Sequence, residues 1–515
     1  MVRRLSLKQE YLYIPIKAGA TEKCVEFFVE NGESREKVLE LLIPVAEQEG
    51  DSYSYDYYAH IPMKHLLHHR PAENSTLLLQ GEVSKLFLDS IRNEAADRSR
   101  KEKSSQCPTI HFTAHAGWIN DPNGLIYADG VYHLYFQYNP LNTAWNNMSW
   151  GHAISRDLLH WEQRDTVLLP DKEGTIFSGC GIVNERGLLG LPKDALVFFY
   201  TAAGNTNQWS SGKQFTQRIA YSVDGGETLS KRETPYVDTI CKENRDPKVY
   251  WHEESNAYIM ALWLEENDFA ILRSTDLEHW EQSCRFTLQG AWECPDLVKL
   301  YDANGNGQWM FWSADGFYFF GVFDGYTFRT DGVRREAYFN KIPYAAQTYF
   351  GTKNRTISIP WLRLPNDGRF FTGAMGLPQE FTYQVCEKGE RRLLQRPVRE
   401  FFERAVFQGR TKNFQTAKGT AVYLRLNCEN TDFTIDVNDS KLNYMSESGI
   451  LCVNEEQFLI GESVRQLEFL IDDSILEVWV DYGIMTGVCP LKRDTEALLR
   501  IQTVSKEEPE VYTII

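Results

Sequence analysis

The chain has 515 residues, which is enough for about two to four domains, and its 43% hydrophobic and 24% charged content is typical of a globular protein. The formal net charge of −17 argues against nucleic acid or an anionic membrane as a partner, since both require a basic surface. Aromatic residues make up 13% of the chain. Together with many glycine-containing turns they favour sheets over helices, and they suit a sugar, whose C–H faces pack on rings.

The N-terminus and the cysteines give expectations about location. Two arginines near the start are not followed by an apolar run, and no stretch approaches the ~20 apolar residues of a membrane span. The ten cysteines are scattered without a CxxC or CxC pair, which predicts neither a metal site nor a redox pair. We therefore expect reduced thiols and a cytoplasmic protein, or a secreted one if a leader has been removed.

The first hundred residues predict a small β-rich accessory domain. YLYIPIKAG and KCVEFFVENG have the pattern of strands that end at glycine-containing turns, whereas KVLELLIPVAEQ fits either a strand or a short helix. SKLFLDSIRNEAADRSRKEKSSQ is charged and serine-rich, and is interpreted as the linker out of this domain. Nothing in residues 1–100 gathers residue types that could perform catalysis.

From residue 107 the pattern is one of strands separated by turns. LIYADGVYHLYFQY predicts a hairpin at Asp129-Gly130. SRDLLHWEQ (155–163) returns as STDLEHWEQ (274–282), with weaker echoes that begin at Tyr221 and Phe320. Echoes about 50 to 70 residues apart suit four-stranded blades, so residues 107–385 predict a five-bladed β-propeller. The matched residues are expected to serve blade packing rather than chemistry.

After about residue 400 the strands continue without the echo. LEFLIDDSILEVWVDYG (467–483) is apolar, β-rich and flanked by acidic residues. Residues 400–515 therefore predict a β-sandwich. The predicted fold class is all-β, with a propeller followed by a sandwich and preceded by the small N-terminal domain.

Four short segments in the predicted propeller combine reactive side chains with turn formers. They are GWINDPNG with Asp121, TIFSGCGIV with Phe177 and Ser178, NRDPKV with Asp246, and AWECPDL with Glu293. Each segment alone is more simply a turn or a salt bridge. Their occurrence once per predicted blade matters, because a propeller brings equivalent strands around one axial funnel.

The carboxylates suit glycoside hydrolysis, which needs two carboxyl groups with different tasks. Trp292, Cys294 and Pro295 are expected to surround Glu293 with apolar groups that favour the protonated acid. Asp121, with Asn120 as a donor, is expected to stay ionised and to suit a nucleophile. Asp246 beside Arg245 is expected to remain a carboxylate that binds sugar hydroxyls.

GWINDPNG, NRDP and WECPD closely resemble the signature segments of the glycoside hydrolase family 32 β-fructofuranosidases, which include invertases, levanases, inulinases and fructosyltransferases. The resemblance covers about residues 107–515. Supporting matches, in chain order, are FQYNP (136–140), SWGHAISRDLLHW (149–161), FSGC (177–180), RIAYSVDGG (218–226), YAAQTYF (344–350) and LPQE (377–380).

The resemblance implies a five-bladed propeller, a sandwich, and cleavage of terminal β-D-fructofuranosyl residues from sucrose or short fructans through a covalent fructosyl-enzyme. It implies that Asp121 is the nucleophile, Glu293 the acid/base, and Asp246 the group that grips two ring hydroxyls and stabilises the transition state. No metal or organic cofactor is implied. The positions implied to shape the fructose pocket are Asn120, Gln137, Trp145, Ser178 and Arg245, with Phe177 and Trp312 as walls.

The chain departs from the family pattern in three places. Cys180 stands where serine is usual, Asn244 where an aromatic residue precedes RDP, and Gln379 where arginine is usual. Cys180 and Asn244 are expected to alter the rim and thus the substrate preference. The first hundred residues bear a weak resemblance to a small β domain that precedes the propeller in some bacterial levanase-like members, where dimer contact, rim-building or polymer binding are alternative roles.

Two other functions stay open from the sequence. A fructosyltransferase or a cyclising, difructose anhydride-forming relative would use the same carboxylates but exclude water. A non-catalytic fructan-binding protein could use the same scaffold, although the complete set of three carboxylates argues against it. Linkage preference (β-2,1 or β-2,6), chain-length preference and homo-oligomerisation are likewise open.

Overall fold

The computed structural model describes residues 1–31, 34–47, 52–67, 76–95, 107–429, 431–461, 464–492 and 498–515. The regular structure in these ranges is almost all β-strand, arranged in nine sheets. None of the helices that the structure describes has the length and apolar character needed to cross a membrane.

The N-terminal unit consists of two small sheets and two short helices. One sheet has the order β1-β6-β3-β4 and the other β5-β2-β7. KVLELLIP forms strand rather than helix. The elements are β1 (Val2–Ser6), β2 (Tyr11–Ile16), β3 (Glu22–Asn31), β4 (Ser34–Pro44), β5 (Tyr57–Pro62), α1 (Lys64–Leu67), β6 (Thr76–Gly81), α2 (Lys85–Ser90) and β7 (Arg92–Glu94).

Part of the predicted linker belongs to this unit. Ser84 caps α2 by accepting the N–H of Phe87, and Phe87 and Leu88 are buried in the core of the N-terminal unit. The compositional signal failed here because the apolar residues of this short helix are surrounded by charged ones. Residues 96–106 of the predicted linker lie outside the described residues.

Five sheets, each built around four antiparallel strands, follow, and we number them first to fifth. The first is β8 (Gly117–Ala128), β9 (Val131–Asn139), β10 (Ser149–Ser155) and β11 (Trp161–Gln163), and the second is β12 (Thr175–Val183), β13 (Leu196–Ala203), β14 (Thr216–Ser222) and β15 (Ser230–Lys231). The third is β16 (Arg245–His252), β17 (Ala257–Glu265), β18 (Asp268–Ser274) and β19 (Glu281–Thr287).

The fourth and fifth sheets carry small additions. The fourth is β20 (Asp296–Tyr301), β21 (Gly307–Trp312), β22 (Phe317–Phe323) and β23 (Phe328–Thr330), with β24 (Arg335–Glu336) beside β22. The fifth is β25 (Pro343–Thr348), β26 (Ile357–Leu362), β29 (Gln379–Val385) and β30 (Arg391–Pro397), with β28 (Ala374–Met375) beside β26. This sheet ends beyond the predicted boundary at residue 385, because its charged outer strand does not repeat the echo.

The repeated segments form equivalent turns between the third and fourth strands of the sheets. In the first sheet Asp157 accepts the N–H groups of Leu159 and His160. In the third sheet Asp276 accepts those of Glu278 and His279 in the same way. The predicted role in blade construction is confirmed, as is the hairpin at Asp129-Gly130, where both residues have positive φ.

The sheets close into a ring through their first strands. β12 packs against both β8 and β16, and β25 of the fifth sheet packs against β8 of the first. Phe350, just after β25, donates its N–H to Leu125 and accepts that of Tyr127. β27 (Phe371–Thr372) also pairs in parallel with β8. This arrangement is a β-propeller with the first strands at its axis.

The last unit is a sandwich of two six-stranded sheets. After α3 (Arg399–Arg404), one sheet has the order β31-β42-β33-β38-β39-β40 and the other β32-β41-β34-β35-β36-β37. Their bounds are β31 (Ala405–Arg410), β32 (Asn413–Ala417), β33 (Ala421–Asn427), β34 (Phe433–Val437), β35 (Ser440–Met445), β36 (Ile450–Val453), β37 (Glu456–Leu459), β38 (Gln466–Asp472), β39 (Ile475–Val480), β40 (Met485–Pro490), β41 (Leu498–Val504) and β42 (Glu510–Ile514).

The sandwich and the propeller are joined by a buried polar cluster. The imidazole of His111 lies 2.8 Å from a carboxylate oxygen of Asp472 and 3.0 Å from one of Glu477. Burial opposes protonation of His111, but the two carboxylates outweigh it and raise its pKa to about 9. The cluster therefore fixes the start of the propeller to the sandwich sheet.

Candidate active site

A cavity of about 710 Å³ opens at the axial end of the first strands. Such a volume is typical of small-molecule sites. All predicted site residues except Trp312 line it: Asn120, Asp121, Gln137, Trp145, Phe177, Ser178, Arg245, Asp246 and Glu293. Residues that are far apart in sequence thus meet at one place, as the propeller geometry predicts.

The expectation that Trp312 forms a wall of the cavity is wrong. Trp312 ends β21, the second strand of the fourth sheet, and is 1% exposed. Its ring packs against Tyr338 at 5.6 Å and Phe381 at 5.3 Å between centroids. The Trp312 ring therefore packs within the core between the fourth and fifth sheets instead of lining the cavity.

Five of the site residues lie at irregularities in the first strands. Pairing registers shift between Ile119 and Pro122 in β8, between Ile176 and Gly179 in β12, and between Arg245 and Lys248 in β16. Each shift encloses predicted site residues: Asn120 and Asp121, Phe177 and Ser178, and Asp246. A bulge gives the strand an extra residue and turns its side chain away from the regular alternation, towards the cavity.

Backbone strain accompanies the carboxylates. Asp246 has φ 64°, Glu293 has φ 33° and Cys294 has φ 42°. Positive φ is costly for residues with a side chain and persists where the surrounding structure imposes it. The prolines that follow Asp246 and Cys294, at positions 247 and 295, therefore indicated in the sequence where the backbone departs from a regular strand.

Asp121 is held by two hydrogen bonds. The Ser178 hydroxyl donates to Oδ2 of Asp121 at 2.5 Å, and Nδ2 of Asn120 donates to Oδ1 at 3.3 Å. Asn120 is oriented by the indole N–H of Trp118, which donates to its Oδ1 at 3.0 Å. Nε2 of Gln137 donates to the Ser178 hydroxyl at 3.4 Å. This chain of donors fixes one orientation of the Asp121 carboxylate.

Asp246 and Asp121 converge on one sulfur atom. Sγ of Cys294 lies 3.5 Å from Oδ2 of Asp246 and 3.6 Å from Oδ2 of Asp121. The backbone N–H of Cys294 also donates to Oδ2 of Asp246 at 3.1 Å. Burial and the two carboxylates raise the pKa of the Cys294 thiol, so it remains an S–H donor between them.

Glu293 has a more polar surrounding than the sequence predicts. Nη2 and Nε of Arg245 lie 2.7 and 3.1 Å from Oε2 of Glu293, and the Tyr344 hydroxyl donates to Oε1 at 2.5 Å. Trp292 is 39% exposed and packs against Trp263 at 5.0 Å. The expected apolar surrounding of Glu293 is wrong, because Arg245 and Tyr344 come from distant strands.

Burial perturbs the two aspartates. Burial, and then the charge of Glu293, raise the pKa of Asp121 to about 6, although Ser178 and Asn120 favour the charged form. Burial also raises the pKa of Asp246, with Arg245 opposing and the Glu293 and Asp121 charges adding. Burial thus favours the protonated form of both aspartates more than the sequence predicts, since both are expected there to remain ordinary carboxylates.

A buried ion pair and a threonine connect the first strands of the third, fourth and fifth sheets. Nζ of Lys248 in β16 lies 3.0 Å from Oδ2 of Asp296 in β20, and the N–H and hydroxyl of Thr348 in β25 each donate to the same oxygen at 2.8 Å. Asp296 is 1% exposed. Lys248 and Asp296 directly follow the RDP and ECP segments. Their position next to these segments is the feature of the sequence that could have indicated an ion pair supporting the site.

The cavity walls are aromatic on two sides. On one side the Phe177 ring contacts Trp145 at 6.1 Å and Phe215 at 5.6 Å. On the other side Tyr344 contacts Trp361 at 6.1 Å. Sequence reasoning missed Phe215, Tyr344 and Trp361 as site residues, although Tyr344 opens the matched segment YAAQTYF.

The departures from the family pattern do not form the rim. Cys180 is 2% exposed, and its sulfur accepts the N–H of Val249 at 3.0 Å inside the ring of sheets. Asn244 is also buried, and its Oδ1 accepts the N–H groups of Ile240 and Cys241. Gln379 is buried in the fifth sheet. The expectation that Cys180 and Asn244 alter the rim is wrong, because both are structural.

The described residues include no group of three or more His, Cys, Asp and Glu side chains that could hold a metal ion. The side chains that line the cavity offer carboxylates, the Arg245 cation, and hydroxyl and amide donors. Carboxyl groups with different surroundings can divide nucleophilic and acid/base tasks between them.

Comparison with known proteins shows the family to which the chain belongs. The family model described as "Glycosyl hydrolases family 32 N-terminal domain" matches residues 111–397. An invertase of Debaryomyces hansenii is 31% identical over 429 residues, which are 76% of this chain and 75% of that protein. A levanase of Bacillus subtilis is 34% identical over 60% of this chain and 49% of its own length.

Solved structures agree as well. The exo-inulinase of Aspergillus awamori aligns with a TM-score of 0.70 at 25% identity, over 80% of this chain and 99% of its own. A glycoside hydrolase family 32 structure from Bifidobacterium adolescentis covers 100% of this chain and 99% of its own, with a TM-score of 0.66 at 18% identity. The latter shares the fold of the whole chain, N-terminal unit included. The chain belongs to glycoside hydrolase family 32 and is a glycoside hydrolase.

Proposed function

We propose that this protein is a retaining β-fructofuranosidase that releases terminal β-D-fructofuranosyl residues from sucrose or short fructo-oligosaccharides. One observation carries the proposal: Asp121 in β8, Asp246 in β16 and Glu293 just before β20 meet in one cavity, linked by Cys294 and Arg245. The names of the relatives, invertase, levanase and exo-inulinase, support a β-fructoside as substrate.

In the proposed first step, a carboxylate oxygen of Asp121 attacks C2 of the fructosyl unit. The bond from C2 to the leaving oxygen breaks, and Glu293 donates a proton to that oxygen. Asp246 accepts hydrogen bonds from ring hydroxyls, which strengthen as positive charge develops on the sugar. The Asp121 carboxylate is oriented for attack by Ser178 and Asn120.

In the second step, water replaces the leaving group. Glu293, now ionised, accepts a proton from the water as its oxygen attacks C2, and the bond between C2 and Asp121 breaks. Fructose leaves with its original anomeric configuration. This retention follows because the configuration at C2 is inverted twice. Between the two steps, Arg245 stabilises the carboxylate of Glu293, which it contacts.

A product assay tests the proposal. The full-length protein is incubated with sucrose, kestose, levan and inulin, and the products are identified by chromatography. Free fructose as the main product at high substrate concentration supports the hydrolase. Mainly oligosaccharide or difructose anhydride would identify the transferase or cyclising alternative, and binding without turnover would identify a fructan-binding protein.

A further inference from the structure

We propose that the N-terminal unit and the propeller together form a second sugar-binding site, next to the catalytic cavity, for the more distant units of an oligosaccharide. The proposal rests on the proposed function, because it extends the same substrate path. It assigns the N-terminal unit a direct part in chain-length preference.

A second cavity of about 330 Å³ lies between the two units. β4 contributes Glu40 and Leu42 to it, and the propeller contributes the rest. Asn205 and Thr206 line both this cavity and the catalytic one, so the two spaces adjoin. A chain that leaves the catalytic cavity on this side enters the second cavity next.

One wall is held by a buried carboxylate of the N-terminal unit. Oε1 of Glu40 accepts the backbone N–H groups of Gln208 at 2.8 Å and Trp209 at 3.2 Å. Oε2 pairs with Nζ of Lys37 at 2.6 Å, and Glu40 is 6% exposed. Residues 204–214, which contribute to both cavities, are thus anchored to β4 rather than to the propeller alone.

The opposite wall has a second carboxylate anchor. Oε1 of Glu22 accepts from Nδ2 of Asn142 and Oε2 from Nδ2 of Asn146, both at 2.8 Å. These asparagines flank Trp145, which is 50% exposed and lines the catalytic cavity. A carboxylate that bridges two amides restricts the loop and therefore the indole at its tip.

Backbone contacts complete this junction. The side-chain amide of Asn147 accepts the N–H of Leu42 and donates to its carbonyl, both at 2.8 Å, as another strand would. Leu141 and Leu169 of the propeller are buried in the core of the N-terminal unit. The two units share one core, so the second cavity has fixed walls.

The chemistry of the second cavity suits a neutral, hydroxyl-rich ligand. Its polar side chains are mostly uncharged amides and hydroxyls, including the exposed Gln208 and Ser211. The charge of Glu40 is already paired with Lys37 and with two backbone N–H groups. Amide and hydroxyl groups both donate and accept, as sugar hydroxyls require.

The test compares kcat/KM for sucrose with kcat/KM for a fructo-oligosaccharide of four or five units, using the full-length protein. Ser211→Trp fills the second cavity. We expect it to lower the ratio of oligosaccharide to sucrose kcat/KM by about fivefold, the effect of one or two lost hydrogen bonds. Ser448→Trp, at an exposed serine of the sandwich, is the matched control and should leave the ratio within about twofold.

A second pair of variants separates positioning from simple loss of structure. Glu40→Ala removes the anchor of residues 204–214 and should raise KM for the oligosaccharide more than KM for sucrose. Glu40→Gln keeps an acceptor oxygen for the two N–H groups and should restore most of the ratio. If the wild type is active and both Ser211→Trp and Glu40→Ala keep its ratio of oligosaccharide to sucrose kcat/KM, the second site is overturned. A wild type that is inactive on every β-fructoside would instead overturn the proposed function.

Discussion

Aspartates lie both in the outer turns and at the axis of the propeller, and they behave differently in the two regions. In the outer turns, Asp276 accepts hydrogen bonds from backbone N–H groups and from His279, which outweigh burial and lower its pKa. At the axis, burial and Glu293 raise the pKa of Asp121 to about 6. The same side chain is stabilised as an anion in one region and destabilised as an anion in the other.

The difference separates structure from chemistry. The outer aspartates of the first and third sheets, Asp157 and Asp276, accept the same set of hydrogen bonds from two backbone N–H groups and a histidine, because the two turns are built alike. The axial carboxylates do not recur, because each sheet contributes a different group to one cavity. In this propeller, the segments that repeat between sheets build the turns. The reactive carboxylates lie where the first strands of different sheets differ from one another and the backbone is strained.

The largest expected effect comes from replacing the axial aspartate and an outer-turn aspartate in turn. Asp121→Ala should lower kcat by about 10⁴-fold or more, as the loss of a nucleophile does, without unfolding the protein. Asp276→Ala should leave kcat within about twofold and lower the free energy of unfolding by about 1 kcal/mol. Steady-state kinetics and thermal unfolding of both variants check this pair, and near-normal turnover by Asp121→Ala would show that the nucleophile is misassigned.

Removing the proton donor should have the next largest effect. Glu293→Gln keeps the size of the side chain and the hydrogen bond from Tyr344, but it cannot deliver a proton to the leaving oxygen. We expect kcat on sucrose to fall by about 10² to 10⁴-fold. An aryl fructoside with a good leaving group should lose much less, and equal losses on both substrates would contradict the acid role.

The raised pKa of Asp121 predicts the pH dependence of the free enzyme. The nucleophile must be ionised, so kcat/KM should rise with pH and reach half its plateau near pH 6. Ser178→Ala removes a donor that favours the ionised form and should move this midpoint upward. A wild-type midpoint near pH 4, about the value of an ordinary aspartate, would contradict the burial argument.

The smallest effect concerns stability. The pKa of Asp121 is higher in the folded state than its ordinary value of 3.8, so its contribution to stability is present below that value and is lost as pH rises through about 6. Asp121→Asn should therefore raise the melting temperature by about 2 to 4 °C at pH 8 and by less at pH 5. Calorimetry at both pH values checks the sign, and a lower melting temperature at pH 8 would contradict it.

Much of the fold could be predicted because local chemistry repeats. The turn at Asp129-Gly130 and the echoed outer turns are set by a few adjacent residues. Asp121, Asp246 and Glu293 could be placed in one cavity because each lies beside turn formers near the start of a strand.

The failures all concern contacts between distant segments. Tyr344 and Arg245 reach Glu293 from other sheets, and no local pattern reports them. Trp312 was placed in the cavity wall by the family resemblance, but its ring is buried against Tyr338 and Phe381. Glu22 and Glu40 were not singled out, because their amide partners lie more than a hundred residues away in the sequence.

The pairing of β27 with β8 has a consequence for synthesis of the chain. Asp121 is the first of the three carboxylates to leave the ribosome, but its strand gains a parallel neighbour only when Phe371 and Thr372 arrive. Phe350 must also be present before Leu125 and Tyr127 find their backbone partners. A nascent chain therefore carries its earliest reactive group on an unfinished strand until translation is well advanced, and activity should appear late and all at once.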